Sequence, residues 1–364
     1  MSTDEGSFEP LINPLPESKK VRLGMLKGEK PGPCERCWKV EEGGVPSFRQ
    51  RSEFLFDKIP LDPNEEDPVP YYYDIRVGRI CNLACKMCFS DASTRWDEVV
   101  RKLKWLPVVH EDANYNWFSE PNNQLMLKES IGKSISKYGE IQLLFGGGEA
   151  LLHKQCIKFI SSLDDVTKSS INLSFVTNCT MLPESFFDII KPFKSVKFHV
   201  SLEGVGRVND FIRFPSVFSE IRTNFMAMIE HGYDVEFVST LQVYNIWNFW
   251  EVAELASSLG KKVSYHPVID PGYLNIDGLP IQILSVGAKK AHQSILSGKL
   301  TEQAKEQVLS CISMIQKAEF VQDENKITEL LKFTAKIERG DSATFQSCIP
   351  ELYRAVQRFN KIQR

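Results

Sequence analysis

Three cysteines that lie close together in the sequence are the residues best suited to chemistry in this chain. They are Cys81, Cys85 and Cys88, in the run Cys-Asn-Leu-Ala-Cys-Lys-Met-Cys, directly after a segment with the pattern of a β-strand. Three thiolates on one short loop can bind three irons of a cubane iron–sulfur cluster. The fourth iron then has no protein ligand, and an open metal position is a place where a substrate can bind.

Inert core cysteines and a zinc site both account less well for this spacing. Free cysteine is often a buried core residue, but three at this spacing are not expected by chance among nine cysteines in 364 residues. A zinc site would normally have a fourth Cys or His nearby at a regular spacing, which this loop lacks. The spacing therefore favours a cluster over zinc or an inert core.

The motif C-x3-C-x2-C after a first strand resembles the cluster-binding motif of the radical S-adenosylmethionine (SAM) superfamily. In that family the open iron binds the amino and carboxylate groups of SAM. One-electron reduction then gives methionine and a 5′-deoxyadenosyl radical, which abstracts hydrogen from a substrate. The resemblance implies that Cys81, Cys85 and Cys88 are the metal ligands and the catalytic residues, and that the cluster performs the difficult step.

A glycine-rich segment follows the second predicted strand and resembles the family's GGE motif. It contains Gly147, Gly148 and Glu149, with Ala150 where the family usually has Pro. Glycine allows the backbone to approach a ligand closely. The resemblance implies that these residues bind SAM, with Glu149 or a neighbouring carbonyl accepting a hydrogen bond from the SAM amino group.

Two later strand ends also carry motifs similar to those of the family. Thr177-Asn178-Cys179 resembles T-N-G, with Cys179 in place of glycine, and the run S-L-E-G that begins at Ser201 resembles S-[LIV]-[DE]-G. The resemblance implies that Asn178 and Ser201 contact SAM. Arg213 is expected to pair with the SAM carboxylate, a suitable role for the planar guanidinium, although a surface arginine is the alternative.

Two further residues are candidates for the adenine pocket. Gln242 stands at the end of the fifth predicted strand, and Met87 fills the position just before Cys88 whose backbone usually meets the adenine in the family. A core methionine is the alternative for Met87.

The segments that must position these residues alternate between strand and helix patterns. Stretches rich in β-branched and aromatic residues predict strands at 71–77, 141–145, 171–176, 196–201, 235–241 and 263–268. Helical spacing lies between them. This alternation predicts an α/β fold with a parallel sheet and right-handed crossovers. The resemblance narrows the fold to a partial (βα)6 TIM-like barrel over residues 70–270.

The regions on either side of the barrel have different compositions. Residues 1–20 predict a flexible tail, and residues 271–364 predict a helical C-terminal extension. Residues 21–69 contain the run C-E-R-C-W and resemble the segment ahead of the barrel in twitch (SPASM-like) radical SAM proteins. A Pro- and acid-rich linker is predicted between Pro60 and Pro70, and a loop insertion at 109–123.

The resemblance to twitch proteins raises the question of a second metal site. Such extensions commonly hold an auxiliary [4Fe–4S] cluster, so Cys34 and Cys37 are candidate auxiliary ligands, with Cys311 and Cys348 as further candidates. An auxiliary iron–sulfur cluster, a zinc ion and no metal all remain open. Cys156, in an amphipathic helical pattern, is expected in the core.

The histidines have no clear chemical role in the sequence. His110 and His199 are expected to be ordinary structural residues, with His199 a satisfied histidine inside the barrel. His153 follows the glycine-rich segment closely enough to approach the ligand.

Composition limits the classes of function. The net charge of −3 provides no basic field for nucleic acid. No apolar stretch approaches the roughly 18 residues that span a bilayer, and the acidic, polar N-terminus does not resemble a signal peptide. A cytoplasmic protein without membrane partners or disulfides is therefore expected.

The leading hypothesis is a radical SAM enzyme that acts on a peptide or protein. The alternative enzyme is a nucleoside- or tRNA-modifying one, and the alternative of another class is a non-catalytic iron–sulfur or zinc protein. The expected partners are SAM, a reductant such as flavodoxin or ferredoxin, and the peptide substrate.

Overall fold

The structure is a computed structural model, and it describes residues 16–42, 47–51, 59, 69–104, 117–183, 185–318, 320–321, 323, 325–338 and 343–362. Most of the predicted linker between Pro60 and Pro70, His110 and most of the loop predicted at 109–123 lie outside the described residues.

Six parallel strands form one sheet in chain order. They are β1 (Tyr72–Arg76), β2 (Ile141–Gly146), β3 (Ile171–Thr177), β4 (Ser195–Ser201), β5 (Asp234–Leu241) and β6 (Lys262–Pro267). Each strand pairs with the next, and in the sheet β1 and β6 remain the two outer strands. The sheet is therefore an open, partial (βα)6 barrel, and the predicted fold is confirmed. Each predicted strand agrees with the structure to within one residue at either end.

Helices connect the strands and extend the chain beyond β6. They are α1 (Pro16–Leu26), α2 (Glu35–Glu42), α3 (Phe48–Arg51), α4 (Thr94–Leu103), α5 (Pro121–Tyr138), α6 (Lys154–Ser161), α7 (Asp165–Lys168), α8 (Phe186–Ile190), α9 (Arg207–Ile212), α10 (Phe218–Glu230), α11 (Trp250–Ser258), α12 (Ile281–Leu296), α13 (Glu302–Ala318), α14 (Lys326–Ile337), α15 (Phe345–Cys348) and α16 (Pro350–Ile362).

The two faces of the sheet differ because side chains alternate along each strand. On one face, Phe198 of β4 is fully buried, with its ring centroid 6.0 Å from that of Phe186 in α8 and 5.7 Å from that of Phe175 in β3. The helices pack on this side, so the other face lines the inside of the partial barrel. We call it the concave face; its partly buried residues include Lys197, His199, Ser201, Glu236, Val238 and Thr240.

The helical extension covers the outer edge of β6. The side chain of Gln303, on α13, accepts a hydrogen bond from the backbone N–H of Val263 at 3.2 Å and donates one to its carbonyl at 2.6 Å. Gln307 accepts from the N–H of Tyr265 at 3.3 Å. An exposed sheet edge would leave these backbone groups available for pairing with another chain. The predicted helical extension is thus present, and it closes this edge.

Residues 16–20, the last part of the predicted tail, are helical in the structure. Helix α1 begins at Pro16, and proline is favoured at the first position of a helix. The residues that follow include Glu, Lys, Arg and Leu, which are good helix formers, and their polarity concealed the helix. Residues 1–15 lie outside the described part of the chain. Among the described helices, none combines the length and the apolar character that crossing a membrane requires.

Candidate active site

The cysteine loop follows the end of β1 and is tied to the start of α4. The hydroxyl of Ser93, which caps this helix, donates to the carbonyl of Leu83 at 2.6 Å. The hydroxyl of Thr94 donates to the carbonyl of Cys81 at 3.1 Å, and the indole N–H of Trp96 donates to the carbonyl of Cys85 at 3.0 Å. Side chains from one helix turn thus fix the loop backbone at both Cys81 and Cys85.

The start of the same loop is held by an ion pair with little exposure to solvent. Arg79 donates to both carboxylate oxygens of Asp97 in α4, at 3.0 and 2.8 Å, and also to the carbonyl of Ser90 at 2.8 Å. A paired guanidinium and carboxylate of this kind fixes orientation as well as distance. The residues just before and just after the three cysteines are therefore joined.

The cysteine loop also runs beside the segment that follows α9. The N–H of Ala84 donates to the carbonyl of Phe214 at 2.7 Å, and the N–H of Lys86 donates to the carbonyl of Ile212 at 2.8 Å. These two bonds flank Cys85 on one segment and Arg213 on the other. They bring the predicted SAM-binding arginine beside the central cysteine.

Arg213 lies between a carboxylate and a thiol. Its Nη1 is 3.8 Å from Sγ of Cys85, and its Nε and Nη2 donate to Oε1 of Glu203 at 3.3 and 3.2 Å. The Arg213 side chain is 11% exposed and that of Glu203 is fully buried. Burial raises the pKa of Glu203, although the charge of Arg213 opposes that rise. Arg213 is therefore not a surface residue, and the surface alternative is wrong.

Glu203 in turn joins the ends of two strands. Its Oε2 accepts from the N–H of Thr240 in β5 at 2.7 Å, and its own carbonyl accepts from the side chain of Asn245 at 3.0 Å. Glu203 follows the end of β4, so one carboxylate links β4, β5 and Arg213.

The three thiols share one neighbourhood. Burial raises the pKa of Cys81, Cys85 and Cys88, and Arg213 opposes the rise in all three. The thiols also interact electrostatically with one another. Within the described residues, no three His, Cys, Asp or Glu side chains form a group that could hold a metal ion by itself. In a cubane cluster each thiolate binds its own iron, and an all-sulfur donor set on one loop fits that group.

The glycine-rich loop after β2 packs directly on the backbone ahead of the cysteines. A Cβ at Gly148 would lie 2.4 Å from the carbonyl oxygen of Ile80, and a Cβ at Gly147 would lie 2.9 Å from that of Gly78. Gly147 and Gly148 have positive φ, 86° and 47° in chain order, which favours glycine. The N–H of Glu149 donates to the carbonyl of Ile80 at 2.8 Å. The sequence predicted a close approach of this loop to a ligand, and the described contact is with the cysteine loop.

The carboxylate of Glu149 is fully buried and already has three donors. Its Oε1 accepts from the hydroxyl of Thr177 at 2.7 Å and from the N–H of Leu151 at 3.2 Å, and its Oε2 accepts from the N–H of Asn178 at 2.5 Å. Burial still raises its pKa, against these hydrogen bonds. Glu149 therefore holds the end of β3 against the glycine-rich loop.

The end of β3 meets the cysteine loop through two asparagines. The side-chain amide of Asn178 donates to Oδ1 of Asn82 at 3.0 Å and lies 3.8 Å from Sγ of Cys81. Cys179 has φ 57°, the left-handed region, and its side chain is buried. This backbone conformation explains why a glycine would suit that position, since a side chain there is strained.

The remaining predicted SAM contacts lie around this centre. Ser201 ends β4 on the concave face, and Met87 is partly buried against the core. Gln242 is fully buried just after β5, and neither its amide nitrogen nor its amide oxygen has a hydrogen-bond partner within the described chain. An unsatisfied buried amide is costly, so these atoms are suited to a ligand.

The second cysteine pair lies on the N-terminal segment. Cys34 ends a short 3-10 helix (Gly32–Cys34) and Cys37 is on α2; both are half-buried. The indole of Trp38 donates to the carbonyl of Pro31 at 3.2 Å and so closes this turn. Cys311 and Cys348 are buried in the apolar core of the helical extension. The described residues do not assemble these four cysteines into a metal site.

Two other predictions concern single residues. Cys156 is fully buried in the core, as expected. His153 is buried beside Phe118, with ring centroids 6.3 Å apart, and burial lowers its pKa.

Sequence reasoning missed the residues that hold the site together. Glu203 lies in the S-L-E-G motif, from which only Ser201 was predicted to have a role. Trp96 and Asp97 are visible in the sequence only as part of a helical pattern. The signal available for Glu203 was its place directly after a strand end, where functional side chains of such barrels gather.

The model of the radical SAM superfamily matches residues 75–259. The chain belongs to this superfamily. Its members are enzymes that use a [4Fe–4S] cluster and SAM, and the matched range contains the cysteine loop and every predicted SAM contact.

Individual similar proteins are distant. An uncharacterized protein of Methanothermobacter thermautotrophicus is 23% identical over 168 residues, which is 43% of this chain and 63% of that protein. Native anSMEcpe with bound AdoMet is 15% identical with a TM-score of 0.45, covering 62% of this chain and 61% of that one. Streptococcus suis SuiB bound to precursor peptide SuiA is 14% identical with a TM-score of 0.45, covering 83% and 66%. The chain spans less than two thirds of the length of each of these proteins.

Proposed function

We propose that this protein cleaves SAM reductively at a [4Fe–4S] cluster bound by Cys81, Cys85 and Cys88, and that its substrate is a peptide or protein. When bound, the cluster supplies the electron that splits SAM into methionine and a 5′-deoxyadenosyl radical, which takes a hydrogen atom from the substrate. The observation that carries the proposal is the contact of Arg213 with Cys85, the buried central thiol of the three-cysteine loop.

Different residues of this chain bind different parts of SAM. Arg213 offers a guanidinium to the SAM carboxylate, and Glu203 orients it. Because the carboxylate of Glu149 already has three donors, a backbone carbonyl of the glycine-rich loop is the better acceptor for the SAM amino group. The ribose and adenine of SAM are then bound by the remaining predicted contacts, which are Asn178, Ser201, Gln242 and the backbone of Met87.

Burial of the site protects its chemistry. Glu149 and Glu203 are fully buried, and Cys85 is nearly so. A closed site excludes water from reactive species. A reductant such as flavodoxin or ferredoxin would deliver the electron, and the cysteine loop has two exposed apolar side chains at its borders, Ile80 and Phe89.

The auxiliary site is a separate matter. We propose that Cys34 and Cys37, three residues apart at the start of α2, are ligands of an auxiliary metal centre, an iron–sulfur cluster or a zinc ion. Cys311 and Cys348 are buried in the apolar core. Iron and zinc counted in wild type and in a Cys34→Ser/Cys37→Ser variant test this: equal metal content would exclude an auxiliary centre.

The substrate proposal is tested by substrate-dependent SAM cleavage. The reconstituted protein is incubated anaerobically with SAM, a reductant and either a pool of synthetic peptides or a pool of nucleosides and tRNA, each carrying deuterium on carbon. Deuterium in 5′-deoxyadenosine from the peptide pool supports the proposal. Deuterium from the nucleoside or tRNA pool alone would contradict it.

A further inference from the structure

The concave face of the sheet carries a cluster of charged side chains that has no role in the proposed binding of SAM. Lys197 lies on β4, with Nζ 2.6 Å from Oε2 of Glu236 on β5. Nδ1 of His199, also on β4, lies 3.6 Å from the same oxygen. Ser264 of β6 hydrogen-bonds Glu236 as well. Parallel sheets are normally apolar on both faces, so a group of charged and polar side chains that spans three adjacent strands calls for a function.

This group lies on β4 and β5, a few residues before the strand ends that carry the predicted SAM contacts. His199 precedes Ser201 by two residues on the same face of β4, a Cα separation of about 6.5 Å at the usual rise of a strand. His199 and Glu236 are register partners across β4 and β5. A molecule bound in the concave face next to SAM would therefore reach His199.

One nitrogen of His199 is available to such a molecule. Nδ1 faces Glu236, which favours the tautomer with its proton on Nδ1 and leaves Nε2 as an acceptor. Within the described residues no hydrogen bond to Nε2 is found, and the side chain is 26% exposed. Burial lowers the pKa of His199, against the pull of Glu236, so the ring is neutral near pH 7.

The charges around His199 select the kind of group that fits. The positive charge of Lys197 is already paired with Glu236 and with Asp234, whose Oδ2 lies 3.8 Å from Nζ of Lys197. An anion placed here would meet two carboxylates, and a cation would meet Lys197. Lys262 of β6 is a register neighbour of Glu236 and adds another positive charge at the rim. A neutral polar group avoids all of these costs.

We propose that His199, oriented by Glu236, contacts the substrate in the concave face and accepts a hydrogen bond from a neutral polar group, such as an amide or hydroxyl of a peptide. Glu236 is then a positioning residue. This inference rests on the proposed function, because it places the substrate beside SAM.

Small capped amino acids test the proposal without the natural substrate. The cluster-loaded protein with SAM is titrated with N-acetylserinamide, N-acetylaspartamide carrying a free side-chain carboxylate, and N-acetyllysinamide, while the methyl NMR signals of Val238 on the concave face are followed. We expect the neutral probe to shift these signals with the highest affinity. His199→Phe keeps a ring but removes the nitrogen acceptor, so it should weaken binding of the neutral probe about three- to tenfold, the contribution of one hydrogen bond.

A second variant separates contact from folding. Glu236→Gln keeps the imidazole but removes its orienting charge, so it should weaken the neutral probe and lower the pKa of His199 further. The matched control is His231→Phe. His231 is stacked on Phe187 with ring centroids 3.9 Å apart, outside the concave face, so this variant should bind the probe as wild type does.

Three results would overturn the inference: no response of wild type to the neutral probe, equal binding of a charged probe, or unchanged binding in His199→Phe. A wild-type protein that loads no cluster or cleaves no SAM would instead count against the proposed function, and that result is read separately from the NMR titration.

Discussion

Glu203 holds Arg213 against the cysteine loop. The carboxylate oxygen Oε1 of Glu203 accepts from two nitrogens of Arg213, at 3.3 and 3.2 Å, while the third nitrogen lies 3.8 Å from Sγ of Cys85. A residue after β4 thus sets the orientation of the group that faces the predicted cluster. The SAM site depends on this pair as much as on the cysteines.

The first prediction concerns this pair. Arg213→Lys keeps the charge but loses the planar fork, and Glu203→Gln keeps the shape but loses the charge. Each should weaken SAM binding to the cluster-loaded protein by roughly ten- to a hundredfold, because a hydrogen bond to a charged group contributes about 1.5–3 kcal/mol. Equilibrium binding of SAM measures the effect. Arg222→Lys, at an exposed position on α10, is the control, and equal affinity in Arg213→Lys and in this control would refute the role of Arg213.

The second prediction concerns the glycine-rich loop. In Gly148→Ala the new Cβ would lie 2.4 Å from the carbonyl oxygen of Ile80, at a φ of 47°. Strain and overlap together should lower the free energy of unfolding by about 2–5 kcal/mol, measured by urea denaturation.

The control for this loop is Gly298→Ala. Gly298 also has positive φ, 74°, but a Cβ there meets no atom within 4 Å. The free energy of unfolding of Gly298→Ala should fall only by the cost of the left-handed backbone conformation, about 1–2 kcal/mol. If both variants lose the same amount, the contact between the glycine-rich loop and the cysteine loop is not the cause.

The third prediction uses the pH dependence of stability. Burial opposes ionisation of Glu236, but the hydrogen bond and charge of Lys197 outweigh it, so the folded-state pKa is lowered from 4.5. A lowered carboxyl pKa stabilises the fold above the unfolded-state pKa, and this contribution is lost as the pH falls through the folded-state pKa. The difference in unfolding free energy between wild type and Glu236→Gln should therefore be largest above pH 4.5 and shrink below it.

Urea denaturation across this pH range measures the difference for Glu236→Gln, with Glu220→Gln at an exposed position on α10 as the control. A constant difference at all pH values would show that Glu236 does not act through its charge.

The fourth prediction concerns the covered edge of β6. Gln303→Ala removes two hydrogen bonds to the backbone of Val263. At about 0.5–1.5 kcal/mol each, the loss should be about 1–3 kcal/mol in thermal or urea unfolding. Gln293→Ala, at an exposed position on α12, should change stability little. Equal effects of the two substitutions would mean that the extension does not close the sheet through these contacts.

The sequence was most informative about the barrel. In strands such as β3 and β5, buried residues alternate with partly exposed ones, and this period of two is visible in the local sequence. The motifs that resemble the family follow the ends of these strands. Helix α1 was missed because its residues are polar and no apolar stripe marks it.

The contacts within the site were beyond local pattern. The bonds from Ala84 to Phe214 and from Lys86 to Ile212 join loops that follow different strands, and no spacing in the sequence encodes which loops touch. The charged group at His199 and Glu236 was hidden for the same reason, since two strands must be in register before it forms.

The most direct test of the central claim compares the three loop cysteines with a buried one. Wild type, Cys81→Ala, Cys85→Ala, Cys88→Ala and Cys156→Ala are reconstituted anaerobically with iron and sulfide, and 5′-deoxyadenosine is measured after reduction with SAM. We predict that wild type and Cys156→Ala form the cluster chromophore and 5′-deoxyadenosine, and that each loop variant loses both. Retention of SAM cleavage in any loop variant, or its absence from wild type with a full cluster, would contradict the assignment.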